Sequence, residues 1–206
     1  MRIKKIISLL AMVVIAINCK AKAINTWNIY SAYSDITEIE PAENLVYVLA
    51  SEGLYSYNKN DNSLQTYDKT TVLSDCSITH IAYCKAAKRL LILYKNYNID
   101  LLDNKGNVIN IPDYYSKSMT EDKTVNSIFV SGNYAYLATS FGVLKVNMKN
   151  TEISDTYNLG YKVNSLTIAN GNMYLATPLG TIKGNITKNL LDKNNWSKIN
   201  PNVFHS

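Results

Sequence analysis

Two histidines are the side chains best suited to acid–base chemistry near neutral pH, and they stand far apart in the sequence. His80 lies in the alternating segment Ile78-Thr79-His80-Ile81-Ala82, where it is expected to share a face with Ile78 and Ala82. His205 lies in the C-terminal tail. Imidazole titrates at about pH 6.5, so either ring could act as a general base. The alternating pattern around His80 nevertheless favours a hydrogen-bonded structural histidine.

The residue types of a catalytic triad also occur within six residues. Asp75, Cys76 and Ser77 precede His80 closely. Neighbouring residues of a strand point to opposite faces, so closeness in sequence does not produce triad geometry. The sequence shows no paired His/Cys spacing for zinc, no acidic calcium loop and no catalytic carboxylate pair. We therefore predict a protein that is not an enzyme and that has no catalytic residues, no metal ligands and no cofactor.

The elements that must position these residues follow an internal repeat. Val125–Ile128 returns 38 residues later as Val163–Leu166, and Tyr136–Thr139 returns at the same offset as Tyr174–Thr177. Earlier, more divergent copies precede them, and the starts of successive units are 42, 47 and 38 residues apart. Repeats of this length indicate stacked structural units. The four units begin near Ile36, Ile78, Val125 and Val163.

Each unit contains four short apolar or β-branched runs separated by turn residues. In the third unit these runs predict strands over 125–131, 133–139, 142–148 and 151–157. The glycine that follows the second strand is expected to supply a positive φ for a tight turn, at Gly53, Gly142 and Gly180. Four strands in about 40 residues are typical of a propeller blade. The sequence therefore predicts an all-β fold, a β-propeller with about four four-stranded blades, over residues 24–206.

Two similar segments indicate that this propeller is incomplete. Thr26–Tyr30 precedes the first unit and resembles Asn195–Ile199, which stands at the outermost strand of the fourth unit. Propellers commonly close when an N-terminal strand completes the last blade. Because the fourth unit already has an outermost strand, residues 26–31 have no evident partner in this chain. The alternative is a complete four-bladed ring with one additional edge strand.

Residues 1–23 are predicted to form a secretory signal peptide. Basic residues precede an apolar run from Ile6 to Ile17, and Ala21-Lys22-Ala23 supplies a small-x-small cleavage site. The run is shorter than the about 20 residues of a transmembrane helix, so no transmembrane span is expected after cleavage. Alternatively, Cys19 is the acylated first residue of a lipoprotein, although Asn18 fits such a site poorly. Either mechanism exports the chain to the periplasm, the outer membrane or the cell surface.

The charge of the exported part argues against a nucleic-acid partner. The whole chain has 21 basic and 16 acidic residues, a formal net charge of +5. Residues 1–23 contain five of the basic residues and no acidic one, which leaves 16 of each sign after cleavage. Nucleic-acid binding requires a basic patch, and no dense Lys/Arg run follows residue 23.

Two cysteines remain after residue 23, namely Cys76 and Cys84. If they flank one extended strand, their Cα atoms are separated by about 26 Å. A disulfide requires Cα atoms within about 7 Å. We therefore predict two unpaired thiols.

Tyrosine is abundant, with 16 copies. Three of them recur at one blade position, which indicates packing between blades: Tyr47, Tyr136 and Tyr174. Tyr114 and Tyr115 lie instead in the long loop 112–124 between the second and third units, where amphipathic rings suit protein or carbohydrate contact. We predict Tyr114, Tyr115 and His80 as contacts for a partner or glycan, with His80 facing a channel lined by the first strands.

Several longer strings carry a family resemblance. They are LASEGLYSYN (49–58), YDKTTVLSDCSI (67–78), YNIDLLD (97–103), YYSKSMTEDKTVNSI (114–128) and NLLDKNNW (189–196). These strings resemble the N-terminal propeller of PorZ-type proteins, within the two-component regulator propeller group of Bacteroidota. The resemblance covers nearly the whole chain after residue 23.

The resemblance implies a binding role within a longer protein. PorZ-type proteins carry two large propellers and a C-terminal module, and no catalytic activity is attributed to the propellers. In bacteria with a type IX secretion system they lie at the outer surface and work with the sortase that anchors cargo to anionic lipopolysaccharide. The expected partners are therefore proteins, surface polysaccharide or lipopolysaccharide. The alternative function is the periplasmic ligand-sensing propeller of a hybrid two-component regulator, because one fold hosts many functions.

Overall fold

Four antiparallel sheets of four strands each follow one another along the chain. The computed structural model describes residues 33–199. Within each sheet the strands pair in sequence order, so each sheet is a meander. In the third sheet the strand ends lie within one residue of the predicted ones. The prediction of an all-β propeller fold with about four blades is confirmed.

Each blade runs from its innermost to its outermost strand. Blade one contains β1 (Ile36–Ala42), β2 (Leu45–Ala50), β3 (Gly53–Asn58) and β4 (Leu64–Tyr67), and blade two contains β5 (Ile78–Cys84), β6 (Arg89–Tyr94), β7 (Ile99–Asp103) and β8 (Val108–Ile111). Blade three contains β9 (Val125–Ser131), β10 (Tyr134–Thr139), β11 (Gly142–Asn147) and β12 (Glu152–Asn158), and blade four contains β13 (Ser165–Ala169), β14 (Asn172–Thr177), β15 (Gly180–Asn185) and β16 (Trp196–Lys198). A one-turn helix, α1 (Asp113–Ser116), lies between blades two and three, and a 3-10 turn (Lys193–Asn195) precedes β16. Over residues 33–199 no helix is both long and apolar enough to cross a membrane.

The innermost strands establish the order of the blades. β1 packs against β5, β5 against β9, and β9 against β13. In the part of the chain that the structure describes, β1 and β13 make no comparable contact, so the four blades form an arc and not a closed ring. This agrees with the predicted incomplete propeller. The signal peptide, Cys19, the predicted strand at 26–31 and His205 all lie outside the described residues.

The hydrophobic core lies between the blades. Alternate residues of a strand point to opposite faces, so a central blade must be apolar on both. In β6, Leu90 and Ile92 pack against blade one, whereas Leu91 and Leu93 pack against blade three. All four side chains are at most 2% exposed. Burial of each contributes about 1.5–3 kcal/mol, which explains the uninterrupted apolar run of this strand.

The sequence predicts a glycine with positive φ at the turn after the second strand in blades one, three and four. The structure has it in blades three and four. Gly142 has a φ of +150° and Gly180 a φ of +105°. The prediction is wrong for Gly53, where Ser51 and Glu52 adopt the positive φ angles of +48° and +64° instead. A two-residue hairpin turn of type I′ requires positive φ at both central residues. The strain in blade one therefore falls on two non-glycine residues.

Both cysteines in the described residues are unpaired, as predicted. Cys76 is exposed and Cys84 is buried. The thiol of Cys84 donates a hydrogen bond to the Gly132 carbonyl at 3.2 Å, which joins blade two to a turn of blade three. Cys84 therefore serves packing between blades.

We expect Gly142→Ala to lower the free energy of unfolding by about 2–4 kcal/mol. A Cβ atom at this position would lie 2.0 Å from the Tyr157 carbonyl oxygen, so the β11–β12 pairing would have to shift. Urea denaturation of the purified chain measures the effect.

Gly132→Ala is the matched control for this prediction. Gly132 also has a positive φ, +58°, but a Cβ atom there meets nothing within 4 Å. Its cost is limited to the backbone strain of about 1–2 kcal/mol. Equal losses in the two variants would show that the close contact with Tyr157 is unimportant.

Candidate functional site

Two glutamates join the innermost strands of blades one and two. Glu38 Oε1 lies 2.6 Å from His80 Nδ1, and Glu38 Oε2 accepts a hydrogen bond from the Ile81 N–H at 2.6 Å. Glu40 Oε2 accepts one from the Tyr83 N–H at 3.2 Å. Because alternate residues share a side of a strand, both carboxylates reach the same edge of β5. Side chains of β1 thereby satisfy backbone donors of β5 that lack a neighbouring strand.

His80 lies where three blades meet. Its Nδ1 pairs with Glu38 of blade one, Val125 of blade three lines the same groove as His80, and the His80 side chain is 26% exposed. The hydrogen bond to Glu38 raises the pKa of His80 above its ordinary value, and burial opposes this effect. A protonated imidazole carries an N–H on Nδ1 that can donate to the Glu38 carboxylate. The geometry therefore favours an imidazolium that binds the blades together.

The prediction that His80 shares a face with Ile78 is wrong. A register shift separates Ile78 from His80 in the β5–β6 pairing. Because this bulge breaks the alternation, Ile78 joins Ile81 in the core towards blade one. His80 instead lines a groove of about 260 Å³ together with Thr79, Lys95, Tyr97 and Thr124. Contact of His80 with a partner or glycan stays a prediction.

Breaking the Glu38–His80 pair is expected to remove a pH-dependent part of the stability. A histidine whose folded-state pKa is raised stabilises the fold fully below its unfolded pKa of about 6.5, and this contribution is lost as the pH rises through the folded-state pKa. We expect the free energy of unfolding to fall by about 1 kcal/mol between about pH 6 and pH 9.

Glu38→Gln should abolish most of this fall, as measured by urea denaturation across the pH range. An identical pH profile for the variant would mean that the pair does not couple protonation to folding.

The candidate triad residues are engaged elsewhere. Burial opposes ionisation of Asp75, but hydrogen bonds from the Cys76 N–H at 2.9 Å and from the Asn96 side chain lower the pKa of this carboxyl. Lys69 Nζ lies 3.6 Å from the same group. Asp75 and His80 therefore have separate sets of partners. Among the described residues no three His, Cys, Asp or Glu side chains cluster so as to hold a metal ion.

The two loop tyrosines have opposite environments. Tyr114 is 1% exposed and lies between the rings of Tyr97, at 5.9 Å, and Phe141, at 6.4 Å. Its hydroxyl donates to the Lys123 carbonyl at 2.5 Å. Tyr115 is 53% exposed. The predicted surface role is therefore wrong for Tyr114, because consecutive residues of the α1 turn point in directions about 100° apart.

Lys123 fixes the end of α1, and the sequence did not reveal this role. Its ammonium donates to the carbonyl of Tyr114 at 2.8 Å and to that of Tyr115 at 3.1 Å. Cations are favourable beside the free carbonyls of a helix C-terminus. Sequence reasoning also missed Glu38. The feature that could have revealed it is the pair of acidic residues at 38 and 40 within the innermost strand β1. The partners of Glu38 become known only when the blades are packed.

The two tyrosines give a paired prediction. Tyr114→Ala should lower the free energy of unfolding by about 3–5 kcal/mol, because it empties a packed aromatic site. Tyr115→Ala should change it by at most about 0.5 kcal/mol. Thermal or urea unfolding of both variants tests this, and similar effects of the two substitutions would contradict the assignment.

Known proteins share this architecture. Residues 46–197 match the family model described as the N-terminal β-propeller domain of PorZ, of the type IX secretion system. The chain belongs to the PorZ N-terminal propeller family. The structure of PorZ, an essential bacterial surface component of the type IX secretion system of Porphyromonas gingivalis, is 31% identical with a TM-score of 0.79. That match covers 84% of this chain and 24% of PorZ.

More distant structures share the fold of this PorZ-family chain. The extracellular domain of a hybrid two-component system protein, BT4673 of B. thetaiotaomicron, is 18% identical with a TM-score of 0.62, and the match covers 84% of this chain and 23% of that one. AztD of Citrobacter koseri is 16% identical with a TM-score of 0.55, and 74% of this chain and 44% of AztD are covered. A comparison with curated protein sequences gave no match. This chain thus spans about a quarter of the length of PorZ and of BT4673.

Proposed function

We propose that this chain is an exported, non-catalytic binding and assembly module, the N-terminal propeller of a PorZ-like cell-surface protein associated with type IX secretion. The observation that carries the proposal is the 31% identity to PorZ of P. gingivalis over 84% of the chain. That protein is a surface component of the secretion system. Export of this chain follows from the predicted signal peptide at 1–23.

Several polar side chains of the described residues join parts of the scaffold. The His80 ring pairs with Glu38. Asp100 is fully buried and accepts hydrogen bonds from the Tyr94 hydroxyl at 2.5 Å and the Ser74 N–H at 2.8 Å. These bonds stabilise the scaffold, as is expected of a rigid binding module.

One end of the blades is the proposed contact surface. Each outermost strand ends, and the next innermost strand begins, at the same end of the propeller, so the connecting loops 68–77, 112–124 and 159–164 gather there. Tyr115 lies in the second of these loops, and His80 lies near the start of β5. Exposed aromatic rings on loops of a rigid scaffold are typical of recognition surfaces. The proposed partners are a secretion-system protein or surface polysaccharide, including lipopolysaccharide.

The alternative is a ligand-sensing propeller of a hybrid two-component regulator. It rests on likeness to extracellular domains at 17–18% identity, which carries information on fold and not on ligand. The two proposals share a binding surface. In the first this surface supports type IX secretion, and in the second it senses a ligand, so a secretion assay distinguishes them.

The test is a chimaera of P. gingivalis PorZ in which residues 33–199 of this chain replace the matching part. We expect the chimaera to restore secretion of type IX cargo to a PorZ deletion strain. Tyr115→Ala in the chimaera should weaken partner or lipopolysaccharide binding about 10-fold, the effect of removing an aromatic anchor.

Ile109→Ala is the matched control for the chimaera. Ile109 is 42% exposed on β8, an outermost strand, and lies outside the connecting loops. This variant should secrete cargo as the unmodified chimaera does. A chimaera that is displayed at the surface and resists protease, yet restores no secretion, would contradict the proposed function.

A further inference from the structure

The third strand of every blade ends in the same way. Its last residue has a side-chain oxygen that accepts a hydrogen bond from the backbone N–H two residues later, at 2.8–3.1 Å. These residues are Asn58, Asp103, Asn147 and Asn185. Short polar side chains that bond to the backbone in this way fix the shape of a tight turn. The turn between the third and fourth strands is therefore held at its start in all four blades.

Each of these four turns presents a lysine. The lysine follows the strand end by one to three residues and is exposed in every blade: Lys59, Lys105, Lys149 and Lys188. Within residues 33–199 none of the four ammonium groups forms an ion pair. A charge that recurs on a fixed turn without an internal partner is available to a molecule outside the chain.

Contacts between blades bring the turns together at one end. Because each sheet is an antiparallel meander, the turn after its first strand and the turn after its third strand lie at the same end. The Lys88 ammonium in a turn of blade two lies 3.6 Å from the Glu43 carboxylate in a turn of blade one. Arg89 donates to the carbonyls of Met148, at 2.7 Å, and Lys149, at 3.1 Å, in a turn of blade three. The turns thus form one surface, here called the hairpin end, which consists of residues 43–44, 59–63, 85–88, 104–107, 132–133, 148–151, 170–171 and 186–188.

Positive charge is concentrated at the hairpin end. Its turns contain six lysines and two acidic residues. The adjoining strand-end residues Arg89, Asp103 and Glu152 reduce the excess from four positive charges to three. Residues 189–195 leave this end, because Leu190 enters the core between blades three and four, and they carry one charge of each sign.

The opposite end of the blades has no such excess. Its turns and connecting loops contain five lysines and six acidic residues, over residues 51–52, 68–77, 95–98, 112–124, 140–141, 159–164 and 178–179. After residue 23 the chain carries equal numbers of basic and acidic residues. The charges are therefore segregated between the two ends of a protein that is neutral as a whole.

The kind and spacing of the charges indicate a planar anionic partner. A lysine ammonium is a hydrated point charge, whereas directional recognition of one phosphate or carboxylate group uses the fork of an arginine. The arginine at this end, Arg89, is engaged by backbone carbonyls. The lysines lie on separate turns of four blades. Single charges spread over a broad surface fit a layer of anionic headgroups, which attracts each lysine that comes near it.

We propose that the hairpin end docks on a membrane leaflet rich in anionic lipid, through Lys59, Lys85, Lys88, Lys105, Lys149 and Lys188. The connecting loops at the opposite end, which form the proposed contact surface, then face away from the membrane and stay free for a partner. This docking goes beyond the proposed function. Either proposal can fail without the other, because the two use opposite ends of the blades.

The experiment measures cosedimentation of the chain Ile24–Ser206 with phosphatidylcholine vesicles that contain or lack phosphatidylglycerol. We expect binding at low ionic strength to the vesicles with phosphatidylglycerol, and loss of this binding at about 1 M salt, where the Debye length is about 3 Å. Lys105→Gln combined with Lys149→Gln should lower the partition coefficient about 25-fold, because each lysine near an anionic leaflet contributes about fivefold.

Lys183→Gln combined with Lys198→Gln is the matched control, because it removes the same charge from the strands β15 and β16. It should leave the partition coefficient within about twofold, and circular dichroism checks that each variant is folded. Absence of binding at low ionic strength, equal binding to neutral vesicles or equal losses in the two double variants would overturn the proposal. Tighter binding of soluble polyglucuronate than of the vesicles, weakened by the Lys105 and Lys149 substitutions, would overturn it in favour of an acidic polysaccharide.

Discussion

Every blade of this protein is a thin sheet with two faces, and neither face can stay in water if the residues on it are apolar. The fold depends on this constraint. Neighbouring sheets bury their facing sides against each other, so the cores lie between blades and not within them. Blade two, which has a neighbour on each side, consequently has apolar residues at every position of β6 from Leu90 to Leu93.

Polar contacts supplement this packing where the sheets leave backbone groups without a strand partner. The innermost strands of neighbouring blades lie side by side, and Glu38 and Glu40 bond to N–H groups of β5. Farther out, Arg89 donates to the Met148 carbonyl at 2.7 Å and joins blades two and three. These ionisable groups thus serve the scaffold.

The loop tyrosines show how far local sequence can lead. The pair at 114 and 115 was correctly placed in the linker between blades, but the sequence could not separate the two rings. A single helical turn sends them in different directions, and the position of Phe141, in the next blade, makes one of the two sites a core site. The turn at Ser51 and Glu52 is similar, because hairpin geometry and not the adjacent glycine determines which residues adopt positive φ.

The sequence by itself determined the repeat, the four-stranded unit, the unpaired thiols and the family, since these depend on spacing along the chain and on composition. Only the tertiary structure decided the partner of His80 and the burial of Tyr114. Glu38 and His80 are 42 residues apart, and Arg89 and Met148 are 59 apart. Such contacts arise when one blade is stacked on the next, and periodicity within a blade carries no information about which residues then meet.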